Sequence, residues 1–141
     1  DKQWNKQSYK HIYTLTNLYD IQGLHEVIQK IHLQNGLFFL MREDVFPTWE
    51  DPDNREGCCV SYKVPGQILK EQWSAIVDRI LTEDILKDKD QWNQVNGLSI
   101  SPKKEFNIIK IWLKDKNYDY NKFFKVNKYL SLEKSLYKSN I

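Results

Sequence analysis

Gly97-Leu98-Ser99-Ile100-Ser101-Pro102-Lys103-Lys104-Glu105-Phe106-Asn107-Ile108-Ile109-Lys110-Ile111-Trp112-Leu113 is the stretch that decides the fold. Asn96-Gly97 opens a strand at Leu98–Ser101, Pro102-Lys103-Lys104 makes a turn, and Phe106–Leu113 returns as a second strand. Together they predict a β-hairpin. Upstream, Cys58–Val64 alternates, placing Cys58, Val60, Tyr62 and Val64 on one face of a further strand. Leu37–Arg42 contains a short apolar run of strand length, His11–Thr16 reads as another short strand, and Tyr129–Tyr137 as a final one. Helical spacing appears three times. Leu24, Val27, Ile28 and Ile31 form one stripe; Leu69, Trp73, Ile76, Val77, Ile80 and Leu81 form a longer one after Gly66; Tyr120, Phe123, Phe124 and Asn127 suggest a third. Hairpins interrupted by helices predict an α+β domain, an antiparallel sheet with about three helices on one face. The other face is then open for a ligand.

Between the second and third of these strands lies Phe46-Pro47-Thr48-Trp49-Glu50-Asp51, followed by Asn54-Arg55-Glu56-Gly57. Pro47 and Pro52 fix φ and remove two backbone donors, so the segment is a stiffened loop. It sets a flat π surface beside a carboxylate. That pairing suits a planar base with two N–H donors on one edge, although a surface turn with one core tryptophan and solvated acids explains the six residues equally well.

At 141 residues the chain makes one domain, 1–141, with room for a real core. No apolar run spans a membrane or resembles a signal peptide, and the chain reads as soluble and intracellular. Cys58 and Cys59 are adjacent, which strains a disulfide and falls short of a metal site; they are expected as reduced strand residues facing opposite ways. His11, His25 and His32 show no metal-ligand spacing, so neither metal nor cofactor is expected. Residues 1–101 hold 11 Lys/Arg against 15 Asp/Glu, a net of −4, whereas residues 102–141 hold 10 Lys against 4 acids, a net of +6. A basic end beside an acidic remainder suggests an anionic ligand met from one side. A single alanine and three arginines, with abundant Lys, Asn and Ile, indicate an AT-rich gene, as in some protists and large DNA viruses.

The ordered set of these motifs resembles the eukaryotic messenger-RNA cap-binding translation initiation factor family. Pro47-Thr48-Trp49-Glu50-Asp51 with Asn54 and Gly57 is similar to its Pro-x-Trp-Glu-Asp loop. Gly97 through Trp112 is similar to its hairpin, Gln7-Ser8-Tyr9 to the Ser-Tyr element of a divergent branch, and Tyr137-Lys138-Ser139 to its basic terminal strand. The resemblance implies a curved sheet with helices on its convex face and a cap pocket on its concave face. It implies a protein that binds and does not catalyse. Tyr9 and Trp49 would sandwich the positively charged 7-methylguanine, with Trp4 as an alternative first stacker. Glu50 would accept the guanine N1–H and N2–H, and Trp112 would touch the methyl group. Lys103, Lys104 and Lys110 would meet the phosphates. The implied ligand is capped mRNA, met in the cytoplasm (the host's, if the gene is viral), in translation initiation or its control.

Some positions depart from the family pattern. Nothing before Asp1-Lys2-Gln3-Trp4 supplies the family's first strand, which is expected to be missing or truncated. The second phosphate-site lysines fall on Glu105 and Ile108. On the convex face the family binds a helical peptide, of Tyr-x-x-x-x-Leu type, from a scaffold factor or repressor. The implied partner surface is Ile21, Leu24, His25, Trp73 and Val77. Its Val-Glu-x-Phe-Trp element here reads Ile21-Gln22-Gly23-Leu24-His25, so the anchoring tryptophan is His25, and apolar positions after Trp73 are Ser74, Ala75 and Asp78. A divergent partner is expected. The alternative to cap binding is a degenerate member acting mainly as a protein-interaction or repressor subunit; Glu50, Asp51 and Asp53 as metal ligands of a phosphoesterase is a remote third.

Overall fold

A computed structural model describes residues 9, 14–42, 44–48, 50–82, 93–115 and 136–139. Its elements are helices α1 (Leu18–Val27), α2 (Lys30–Asn35), the single turn α3 (Pro52–Arg55) and α4 (Leu69–Leu81), with strands β1 (Phe38–Met41), β2 (Cys58–Pro65), β3 (Val95–Pro102), β4 (Phe106–Leu113) and β5 (Leu136–Ser139). The strands form one antiparallel sheet in the order β1-β3-β4-β2-β5. The fold is α+β, a curved sheet with helices on its convex face. The hairpin that the sequence predicts supplies the two central strands β3 and β4, closed by the Lys103 N–H donating to Phe106 O at 2.8 Å.

Alternation divides the sheet into two chemically different faces. Cys58, Val60, Tyr62 and Val64 of β2, Leu98 and Ile100 of β3, and Ile109, Ile111 and Leu113 of β4 pack into one core with Leu69, Trp73, Ile76, Val77 and Ile80 of α4. The residues between them point to the opposite, open face. Cys58 and Cys59 therefore face opposite ways, and both are buried. Asn107 is the polar residue on the core side of β4, and its Nδ2 donates to Leu33 O at 2.8 Å, satisfying the end of α2.

The first helical stripe needs a correction. One helix through Leu24, Val27, Ile28 and Ile31 would bury all four, but the chain leaves the helical path at Ile28, and α2 restarts at Lys30. The break resets the phase: Ile28 and Leu33 enter the core, while Val27 and Ile31 are each 64% exposed. It is stabilised by donors to the carbonyls it frees. Lys70 Nζ donates to His25 O at 2.8 Å and to Ile28 O, and Gln29 Nε2 donates to Glu26 O at 2.6 Å. Burial at this junction lowers the Lys70 ammonium below the usual lysine range. The expected strand at His11–Thr16 is also corrected where it is described. Thr14–Thr16 is irregular and leads into the α1 cap, where Asn17 Oδ1 accepts from Asp20 N and the Asp20 carboxylate accepts from Thr16 N and Oγ1. The expected helix around Tyr120–Asn127 lies outside the described residues, and β5 at Leu136–Ser139 overlaps the end of the expected final strand.

Two glycines are fixed by close approach. A Cβ on Gly57 would stand 2.0 Å from Leu113 O, and one on Gly97 would stand 2.4 Å from Met41 Sδ and 2.5 Å from Leu40 O. The Gly57 contact is against backbone, so no rotamer change relieves it. Gly57→Ala is expected to cost about 1–3 kcal/mol, the range of overpacking, as a lowered urea midpoint with unchanged slope. An unchanged midpoint would contradict this packing.

Candidate ligand-binding face and partner groove

The loop after β1 is ordered by side chains that the sequence places within a few residues of each other. Asp51 caps the α3 turn, its Oδ1 accepting from Asp53 N at 3.0 Å, and its Oδ2 reaches back to accept from Phe46 N at 3.1 Å. Pro52 sits at the first helical position, where no N–H is needed. Asn54 is fully buried, and its Nδ2 donates to Phe46 O at 3.0 Å and Thr48 O at 2.8 Å. Its Oδ1 accepts from Asn96 Nδ2 at 2.9 Å, which also donates to Asp53 O at 2.8 Å. One buried amide pair thus ties the loop to the start of β3. Asp51, expected as a possible metal ligand, instead uses its carboxylate oxygens on backbone amides.

The loop hangs beside an aromatic cluster at one end of the open face. Tyr9 packs on Phe39 of β1 at 5.4 Å between ring centroids and on Phe46 at 5.1 Å, edge to face. Phe39 in turn meets Trp112 of β4 edge-on at 6.3 Å. Trp112 lies opposite Gly97 in register, its Nε1 donates to Ser99 Oγ at 3.1 Å, and the residue is mostly covered. Glu50 is exposed, and among the described residues its carboxylate accepts no hydrogen bond; its backbone O accepts from Arg55 Nη2 at 3.3 Å.

Of the residues singled out from sequence, Tyr9 and Trp112 are thus brought into one aromatic cluster, with Glu50 on the adjoining loop. Trp49 and Trp4 lie outside the described residues. Lys110 projects from β4 two positions from Trp112 on the same face and is exposed, and Lys103 and Lys104 are exposed in the hairpin turn beyond. Sequence reasoning missed Phe39, Phe46 and Ser99, which build the cluster. The alternation of β1 carried the signal for Phe39, because Phe38 and Leu40 pack on the core and leave Phe39 on the other side.

The convex side carries a groove of about 680 Å³ between α1 and α4, lined by Ile21, Gln22, His25, Glu26, Asp78 and Thr82. His25 Nε2 and Asp78 Oδ1 pair across it at 2.7 Å, linking the two helices. The expected partner surface is corrected here. Trp73 and Val77 are 2% and 0% exposed, members of the core and not of the groove, and Leu24 packs against that core. Ile21 and His25 remain.

Helices pack on one side of the sheet, and the other side carries an aromatic cluster at one end and exposed lysines at the other, in an α+β protein. The sequence matches the family model of Eukaryotic initiation factor 4E over residues 1–139, and the chain belongs to that family. It is 28% identical over 72 residues to a eukaryotic translation initiation factor 4E homolog of Acanthamoeba polyphaga mimivirus, a match covering 51% of this chain and 26% of that protein. The chain thus spans about a quarter of the length of this curated relative. Among solved structures, it superposes on Ascaris suum eIF4E-3 bound to the m7G cap with a TM-score of 0.74 at 19% identity, covering 84% of this chain and 68% of that one. Caenorhabditis elegans eIF4E-3, in complex with the 4E-binding protein Mextli and a cap analog, gives 0.73 at 20% identity, covering 84% and 69%. Schistosome eIF4E with m7GpppA and 4E-BP gives 0.73 at 18%, covering 83% and 68%. At these identities the likeness is one of fold.

Asn54→Ala removes a fully buried amide and leaves two carbonyls and the Asn96 amide without it. A loss of about 2–3 kcal/mol is expected, measured by urea denaturation, together with faster amide hydrogen exchange in residues 46–53. Protection unchanged in that loop would contradict the clamp.

Proposed function

We propose that this chain binds the 7-methylguanosine 5′ cap of mRNA in translation initiation or its control, in the cytoplasm. The observation that carries the reading is Glu50: an exposed carboxylate on a loop pinned by Asp51 and Asn54, beside the Tyr9–Phe39–Phe46–Trp112 cluster. The A. suum structure, with its m7G cap, gives a bound cap on the same fold.

The chemistry follows from the charge of the methylated base. Methylation at N7 makes the guanine ring a delocalised cation, attractive to aromatic faces; each desolvated cation–π contact is worth about 2 kcal/mol. In this reading Tyr9 and Trp49 provide the two faces, and Trp112 meets the methyl group. The positive ring also strengthens N1–H as a donor. Glu50 accepts it together with the exocyclic N–H as a bidentate, charge-assisted pair. Lys103, Lys104 and Lys110 attract the triphosphate as point charges, without the fork geometry of arginine. Nothing in this scheme breaks a bond; the residues bind and discriminate.

The chain is expected to stay on 7-methyl-GTP resin and to be eluted by 7-methyl-GTP but not by GTP. Glu50→Ala removes both edge hydrogen bonds and is expected to weaken binding by about 2–4 kcal/mol, roughly 30- to 1000-fold; Trp49→Ala should also abolish retention. Equal elution by the two nucleotides would overturn the reading.

The convex groove serves, in the same proposal, a helical partner segment of a scaffold or repressor whose contacts differ from those of the family's usual apolar peptide. C. elegans eIF4E-3 is complexed with Mextli, and schistosome eIF4E with 4E-BP. Here the groove centre is the hydrogen-bonded polar pair of His25 and Asp78, and desolvating it under a leucine side chain is unfavourable. A Tyr-x-x-x-x-Leu peptide is therefore expected to bind weakly by fluorescence anisotropy. The double change His25→Trp and Asp78→Leu restores apolar surface and should improve its affinity at least about tenfold. Tight binding to the unmodified chain would contradict the polar groove.

A further inference from the structure

Beyond the aromatic end, the open face carries a second feature that the cap reading does not use. Along β4 the open-face positions are Phe106, Ile108, Lys110 and Trp112, alternating with the core residues Asn107, Ile109, Ile111 and Leu113. Phe106 and Trp112 are six positions apart, about 20 Å of extended strand. On the neighbouring strand, Lys63 is exposed between the buried Tyr62 and Val64, and its Nζ stands 4.5 Å from the centroid of the half-buried Phe106 ring. Lys110 lies between the two ends, and Lys103 and Lys104 stand in the adjoining turn.

These positions give the face a direction. Its aromatic end adjoins the Glu50 loop, whereas the other end carries Lys63, Lys103 and Lys104. A ligand with a cationic ring at the first end and an anionic chain running from it extends along β4 toward Phe106. We propose that Phe106 and Lys63 form a binding point for the nucleotide next to the cap, Phe106 as a stacking platform for its base and Lys63 as the cation for the phosphate on its 3′ side, which 7-methyl-GTP lacks. The proposal rests on the cap reading for the far end of the face. A partly exposed ring beneath an exposed lysine suits this exchange, because a base can take the ring face while Lys63 turns to the phosphate. Stacking of this kind tolerates any base, and so predicts affinity for chain length without strong preference for the first nucleotide.

The test compares 7-methyl-GTP with a short capped RNA of five nucleotides in fluorescence titrations at fixed salt. The full chain should bind the capped RNA more tightly than 7-methyl-GTP. Phe106→Ala should weaken capped-RNA binding about fivefold or more and leave 7-methyl-GTP within about twofold, whereas Phe106→Trp should retain the difference. Lys63→Gln, which leaves the ring in place, should lower both capped-RNA affinity and the slope of its salt dependence. Equal losses for the two ligands, or none, would overturn the second contact while leaving cap binding intact. Failure of the unmodified chain to bind 7-methyl-GTP would instead strike the cap reading on which it rests.

Discussion

The buried amide pair of Asn54 and Asn96 is the constraint on which the binding face depends. A loop of six residues bracketed by prolines has few backbone hydrogen bonds of its own, and its carbonyls need partners wherever it turns inward. Phe46 O and Thr48 O accept from Thr48 N and Asp51 N within the loop, Asn54 gives each a second donor from the buried side, and Asn96 fastens Asn54 to the sheet. Asp51 completes the arrangement by accepting from Phe46 N. The consequence is functional: the neighbour of Asp51 is Glu50, whose own carboxylate is left to solvent on a backbone that is held still. Pre-organisation of this sort lowers the ordering cost of binding.

The same sheet separates two jobs by the period of two. Inward residues of β2, β3 and β4 build a continuous aliphatic core against α4, and outward residues form a face of aromatic and cationic groups. Gly97 is the hinge between these requirements. It sits opposite both Trp112 and Met41 in register, and the absence of its side chain lets three strands carry large neighbours at one level. The convex side is built differently. Trp73 lies in the core, while the groove beside it is polar around His25, which pairs with Asp78.

Much of this was legible in the sequence because local pattern and tertiary need agree. The β3–β4 hairpin, the alternation of β2 and the six-residue stripe of α4 all announce themselves by periodicity. The break between α1 and α2 does not, because Leu24, Val27, Ile28 and Ile31 fit one helix by spacing. What interrupts it is a lysine 45 residues away donating to His25 O, and no local rule sees that contact. The candidate site was proposed from its motif residues, and its supports were not visible in the sequence. Glu50 and Trp112 stood out by type, but Phe39 and Phe46 read as ordinary apolar positions until the sheet register brought them beside Tyr9. Trp73 and Val77 show the reverse error, where a family likeness suggested a surface and burial assigns them to the core.

The central claim is that this face recognises the positive charge of a methylated guanine. Intrinsic tryptophan fluorescence, titrated in parallel with 7-methyl-GTP and GTP at one salt concentration, measures the combined effect of the N7 methyl group and the charge it creates. Two aromatic faces and Glu50 predict quenching by 7-methyl-GTP at concentrations roughly 30- to 1000-fold below those needed for GTP. Superimposable curves for the two nucleotides would contradict the account.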